Sequence, residues 1–117
     1  MVFRNQPASK AKSGGLNMAN NTLGVVVRLA VNKGQEDEFS TTAMKAMVEP
    51  TQTVQGCIKY EMWQDHEEPW RFVILEEWED EKSHAAHLAS DWLQPVMASL
   101  MGYASEPFEM QRLHQTH

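Results

Sequence analysis

Residues 58–78, IKYEMWQDHEEPWRFVILEEW, divide into two extended runs joined by a polar turn. In the first run Ile58, Tyr60 and Met62 alternate with Lys59, Glu61 and Trp63, the period of a strand with two unlike faces. Asp65-His66-Glu67-Glu68-Pro69 breaks that period, and the run WRFVILEEW follows over residues 70–78. Two such runs separated by a short polar loop predict an antiparallel hairpin. The second run is apolar on both sides, with Phe72, Ile74 and Trp78 on one and Val73 and Leu75 on the other.

The flanking segments extend the pattern. Upstream, LGVVVRLAV (residues 23–31) places Val25, Val27, Leu29 and Val31 on one face and Val26, Arg28 and Ala30 on the other, a first strand. Gly34 ends it, and Gln35-Glu36-Asp37-Glu38 opens a helix with acids where the macrodipole favours them. Phe39, Ala43 and Met47 recur at helical spacing, Pro50 is expected to bend the helix, and Gly56 to stop it. Downstream, Asp80 caps a helix through Ala89. Asp91 and Gln94 form a capping-box pattern for a helix reaching Met101, with Gly102 as its stop. PFEMQRL, residues 107–113, is a last strand.

This β-α-β-β-α(α)-β order predicts an α+β fold: a ferredoxin-like split βαβ, with a four-stranded antiparallel sheet and helices on one face. Helices cover only one face of strands that are apolar on both. A homodimer joined through the free sheet face is therefore expected.

The chain of 117 residues fits one domain, read as residues 23–113 between an N-terminal tail (1–22) and a C-terminal one (114–117). Residues 1–22 hold Arg4, Lys10 and Lys12 and no acid, so they carry +3 and leave −9 for the rest. They have no apolar core of the kind a secretory signal needs. The net charge of −6 argues against a nucleic-acid partner, and no apolar run is long enough to span a membrane. Cys57 is the one cysteine, which excludes an internal disulfide and fits a reducing, cytoplasmic setting.

In VVVRLAVNKGQEDEF, VQGCIKYEMWQD and above all FVILEEWEDEKSHAAHLAS, the chain resembles the antibiotic biosynthesis monooxygenase superfamily, and within it the small quinol-monooxygenase-like proteins. In the last of these stretches an E-x-W ends a strand and a helix bearing A-H-L follows. The resemblance covers about residues 23–113. It implies a dimeric α+β barrel with a site between sheet and helices. It also implies oxidation of a quinol, phenol or anthrone by O2 without flavin, metal or haem. The family also holds isomerases and haem-degrading members. The haem branch uses an asparagine, a tryptophan and a histidine ligand whose positions fall near Val27, at Trp78 and near Met97, so two of three are absent here. A histidine in a turn of many small members is replaced within Ser90-Asp91-Trp92.

Such chemistry needs a base to ionise the substrate, a water-poor surrounding and polar groups for the oxyanion. His87 matches the A-H-L histidine, and His84 lies one turn earlier on nearly the same face; these are the candidate catalytic residues. Trp78, Glu76, Phe72 and Ile74 share a strand face, and with Met97 they are the candidate substrate-binding residues. His84-x-x-His87 with Glu76 is a weak metal pattern, so no metal and no other cofactor is expected. The partners implied are a small aromatic substrate and O2. Two other readings stay open: a proton-transfer isomerase acting on a small oxygenated metabolite, and a non-enzymatic dimeric ligand binder.

Overall fold

A computed structural model describes residues 21–116. The expected N-terminal tail falls outside the described residues except for Asn21 and Thr22, and so does His117. The elements are β1 (Leu23–Ala30), α1 (Glu36–Ala43), a π-helical turn (Met44–Val48), α2 (Glu49–Thr51), β2 (Cys57–Gln64), β3 (Arg71–Trp78), α3 (Glu81–Leu88), α4 (Leu93–Met101) and β4 (Glu109–His114). The four strands form one sheet in the order β2-β3-β1-β4, and every neighbouring pair is antiparallel. This is the ferredoxin-like α+β arrangement that the hairpin and its flanks predicted.

Register decides which side chains meet. Val25 lies opposite Glu76 and Val27 opposite Ile74, so these four point to one face. Val26 opposite Leu75 and Arg28 opposite Val73 point to the other. The first face carries the core, where Val25, Leu29, Val31, Phe72, Ile74 and Trp78 pack against Phe39, Met47, Leu93 and Leu100 from the helical segments. Burying side chains of this size stabilises by about 1.5–3 kcal/mol each. No helix among the described residues is long and apolar enough to cross a membrane.

Three local features depart from the simple periodicities. Pro50 has no N–H for the carbonyl four residues back, and the helix widens into the π turn Met44–Val48 just before it. In β2 the register shifts between Cys57, which pairs with Trp78, and Lys59, which pairs with Glu77. Ile58 is the extra residue of that bulge and is 44% exposed, although the alternation grouped it with Tyr60. The capping box expected at Asp91 is not formed. The helix starts at Leu93 behind Trp92, and the Gln94 side chain instead donates to the Leu88 carbonyl at 2.8 Å. Pro95 occupies the first turn, where a missing N–H costs nothing. Strand β4 reaches His114, opposite Leu23.

Gly56 anchors the helix that matters most for the site. Its φ is 88°, and its carbonyl accepts from the Glu79 N–H at 2.8 Å. A Cβ at this position would lie 2.3 Å from Ser83 Oγ and 2.5 Å from Ser83 Cβ, on α3. The substitution Gly56→Ala therefore forces a strained backbone and pushes α3 away from β2. We expect it to destabilise the fold by about 1–3 kcal/mol, lowering Tm by at least about 4 °C in a thermal melt followed by circular dichroism.

Candidate active site

Trp78 is the last residue of β3, and Glu76 precedes it by two on the same face. Two residues later Asp80 caps α3, its Oδ1 accepting from the Ser83 N–H at 2.8 Å. Arg112 of β4 pairs with Glu81 in the first turn of this helix. These contacts hold α3 over the end of the sheet, and the spacing of three sets His84 and His87 on its inner side. Both imidazoles are buried, as are Trp78, Glu76 and Tyr60.

Trp78 is the hub of the cluster. Its indole Nε1 donates to Glu76 Oε1 at 2.8 Å. The His87 ring lies 4.9 Å from the Trp78 ring, centroid to centroid, at an interplanar angle of 30°. The His84 ring lies at 5.6 Å and 47°. Tyr60 meets His87 edge-on at 6.1 Å, and Trp92 approaches it at 5.8 Å. His84 Nε2 sits 3.7 Å from Glu76 Oε1, too far for a hydrogen bond. His84 Nε2 and His87 Nδ1 are both sealed from solvent with no hydrogen-bond partner. Two orphaned ring nitrogens in one aromatic cluster are ready to meet a polar group of a ligand.

Burial sets the protonation of the whole cluster. It pushes the Glu76 carboxyl up to about 7, against the opposing hydrogen bond from Trp78. Burial, then the neighbouring His84, brings His87 down to about 4. Burial, then Arg112, also lowers His84. The Tyr60 hydroxyl is raised by burial and by Glu76, and burial pushes the Cys57 thiol up to about 12. At neutral pH both imidazoles are therefore uncharged and able to accept a proton.

The fold brings together His87, His84, Trp78 and Glu76. Ile74 continues the same face toward the middle of the sheet. Phe72 lies six residues from Trp78, about 20 Å along the strand, and stacks at 4.9 Å on Phe39, which in turn meets Tyr103 at 5.7 Å. Met97 on α4 packs half-buried against the core. Three neighbours were not assigned to the site from sequence. Tyr60 and Cys57 lie opposite Glu76 and Trp78 in the hairpin register, a signal present once strand pairing is applied. Trp92 sits in the turn between α3 and α4, 37% exposed, and no periodicity marks it. Among the described residues, no group of three or more His, Cys, Asp or Glu side chains is placed to hold a metal ion.

Comparisons with known proteins agree on the fold. A conserved protein from Methanosarcina mazei superposes with a TM-score of 0.77 at 28% identity, over 83% of this chain and 95% of that one. An antibiotic biosynthesis monooxygenase superposes at 0.75 with 19% identity, covering 81% and 99%. A protein from Shewanella oneidensis superposes at 0.73 with 22% identity, covering 85% and 95%. No curated protein matches the sequence. The family model of antibiotic biosynthesis monooxygenase matches residues 22–98, a span that includes β1, the hairpin and both histidines of α3. The chain belongs to the antibiotic biosynthesis monooxygenase family.

Proposed function

We propose that the protein is a cofactor-independent monooxygenase that oxidises a quinol, phenol or anthrone-type aromatic with O2. The observation that carries this reading is the buried His87 imidazole packed against Trp78, its Nδ1 sealed from solvent without a hydrogen-bond partner. A flat substrate stacked against the aromatic surface of Trp78 and Trp92 brings its hydroxyl to His87, which accepts the proton. The resulting anion gives an electron to O2. In the anthrone case one oxygen atom enters the ring carbon as a carbonyl and the other leaves as water, the two carbon-bound hydrogens being consumed in that water. His84 orients the cluster from one helical turn away, Ile74 and Met97 extend the apolar lining, and Glu76 fixes the indole. Phe72 contributes packing at the far end of the same face.

Assembly belongs to the same reading. The face opposite the core presents Val73, Leu75 and Leu113 beside Trp63, which is 58% exposed. Arg28 donates to Gln111 Oε1 at 3.1 Å on that face, a polar patch within the apolar one. A homodimer through this sheet face buries the patch, and a thiol at Cys57 with no disulfide suits a cytoplasmic location. Light scattering at micromolar concentration is expected to give about twice the chain mass. A monomer at that concentration removes the dimeric barrel from the proposal.

The catalytic assignment is tested by oxygen uptake with a panel of hydroquinones and anthrones. The substitution His87→Ala is expected to lower kcat by about 100- to 10,000-fold with fold and assembly retained. Trp78→Phe keeps an aromatic face but loses area and the indole N–H, and is expected to raise KM more than it lowers kcat. Because His87 accepts a proton only when neutral, activity is expected to fall as pH drops through about 4. If no substrate supports His87-dependent uptake while an aromatic ligand still raises Tm, the protein is a ligand binder. Turnover without O2 consumption assigns it to proton transfer instead.

A further inference from the structure

The site holds a second acid–base group that the mechanism above does not use. Glu76 is 3% exposed, and its Oε1 is shared between the Trp78 indole N–H at 2.8 Å and the space in front of His84 Nε2 at 3.7 Å. That imidazole nitrogen is sealed and has no other partner. Bringing the two closer by less than an ångström makes a hydrogen bond and satisfies it. Hydrogen bonds in empty sites are often long in this way and tighten when ligand binds.

We propose that Glu76 and His84 form one acid–base unit that shares a single proton between the Glu76 carboxyl and His84 Nε2, and that its ionised form favours proton transfer to His87. The role assigned to His87 rests on the monooxygenase reading; the shared proton does not. With one proton present, the unit is a neutral carboxylic acid facing a neutral imidazole. Burial disfavours the alternative ion pair, because two charges would be taken out of water together. When the proton is released to solvent, the carboxylate keeps the Trp78 hydrogen bond and carries one negative charge. That charge stabilises the imidazolium formed when His87 takes a proton from substrate. His87 needs this help, because burial makes it a weaker base than an ordinary imidazole.

The surroundings of Glu76 supply little competing charge. Tyr60 and Cys57 approach from β2, and both keep their protons at neutral pH. Trp78 follows on β3, and His84 and His87 come from α3. By register, Arg112 and His114 of β4 point to the same side of the sheet, and Arg112 is paired with Glu81. The Glu76 carboxyl, raised to about 7, therefore loses its proton in the range where the histidines are already neutral.

The test is an NMR titration from pH 5 to 9 of protein labelled with 15N in histidine and 13C in glutamate. It needs neither substrate nor O2. We expect the Glu76 carboxyl carbon and His84 Nε2 to move together in one step near pH 7. In Glu76→Gln, which keeps an oxygen for the indole N–H, that step is expected to vanish from His84. If that variant does not fold, His84→Ala serves instead, and there the Glu76 step is expected to move by at least about half a pH unit. A His84 signal that stays flat through the Glu76 step overturns the proposal. So does a Glu76 carboxyl that titrates near its ordinary value of about 4.5, or a Glu76 step unmoved in His84→Ala. Where oxygen uptake is measurable, Glu76→Gln is expected to remove an activity limb near pH 7 and keep the one near 4. A purely structural Glu76 leaves the pH profile unchanged.

Discussion

The 2.8 Å hydrogen bond from Trp78 Nε1 to Glu76 Oε1 constrains everything around it. A carboxyl this deeply buried needs a donor, and an indole this deeply buried needs an acceptor. Each satisfies the other from positions two residues apart on one strand face, which the pleat makes adjacent. The pair fixes the plane of the indole, and that plane is the surface on which His87 stacks. Loosening the bond would leave a buried N–H and a buried carboxyl unpaired at once, about 1–3 kcal/mol for each group.

The remaining contacts deliver α3 to that surface. Asp80 caps it from the end of the strand, Gly56 lets Ser83 come close, and Arg112 holds its first turn through Glu81. The far end of the sheet is built differently. There Phe39, Phe72 and Tyr103 form an aromatic cluster, Tyr103 Oη donates to Glu38 Oε2 at 2.7 Å, and Lys33 Nζ lies 4.1 Å above the Trp70 ring. These contacts are apolar or solvent-facing and leave no sealed, unpartnered nitrogen. The two ends of one strand face thus have different chemistry, because β3 carries Phe72 at one end and Glu76 with Trp78 at the other.

Much of this was legible in the sequence because strands and helices impose periods. Alternation in residues 58–64 and 70–78 identified the hairpin, and the E-x-W followed by A-H-L placed a tryptophan and a histidine near each other. What periodicity misses is any change of count. The extra residue at Ile58 shifts one face of β2, and the π turn before Pro50 adds to the helical turn, so each breaks the count that the periods assume. The Asp91–Gln94 pattern failed because its glutamine found the Leu88 carbonyl, a partner outside the box. Sharing a strand face also says nothing about distance along the strand. Phe72 and Trp78 were grouped by alternation, yet six residues separate them.

The electrostatics follow from packing rather than from any motif. Glutamate and histidine in sequence suggest an ionised base with a charged partner. Inside the cluster, desolvation acts on both in the direction that removes charge, raising Glu76 and lowering His84 and His87. At neutral pH neither imidazole carries a positive charge that would attract an anionic metabolite. The proposed aromatic substrate fits these surroundings, because burying an uncharged ring takes no charge out of water. The scarcity of basic groups points the same way: only seven Lys and Arg residues lie between Arg28 and Arg112, and Arg112 is already paired with Glu81. A phosphorylated substrate would need several such cations converging on one point. The aromatic alcohol of the proposed reaction needs no such cations, only a ring to stack on and a neutral base beside it, the roles proposed for Trp78 and His87.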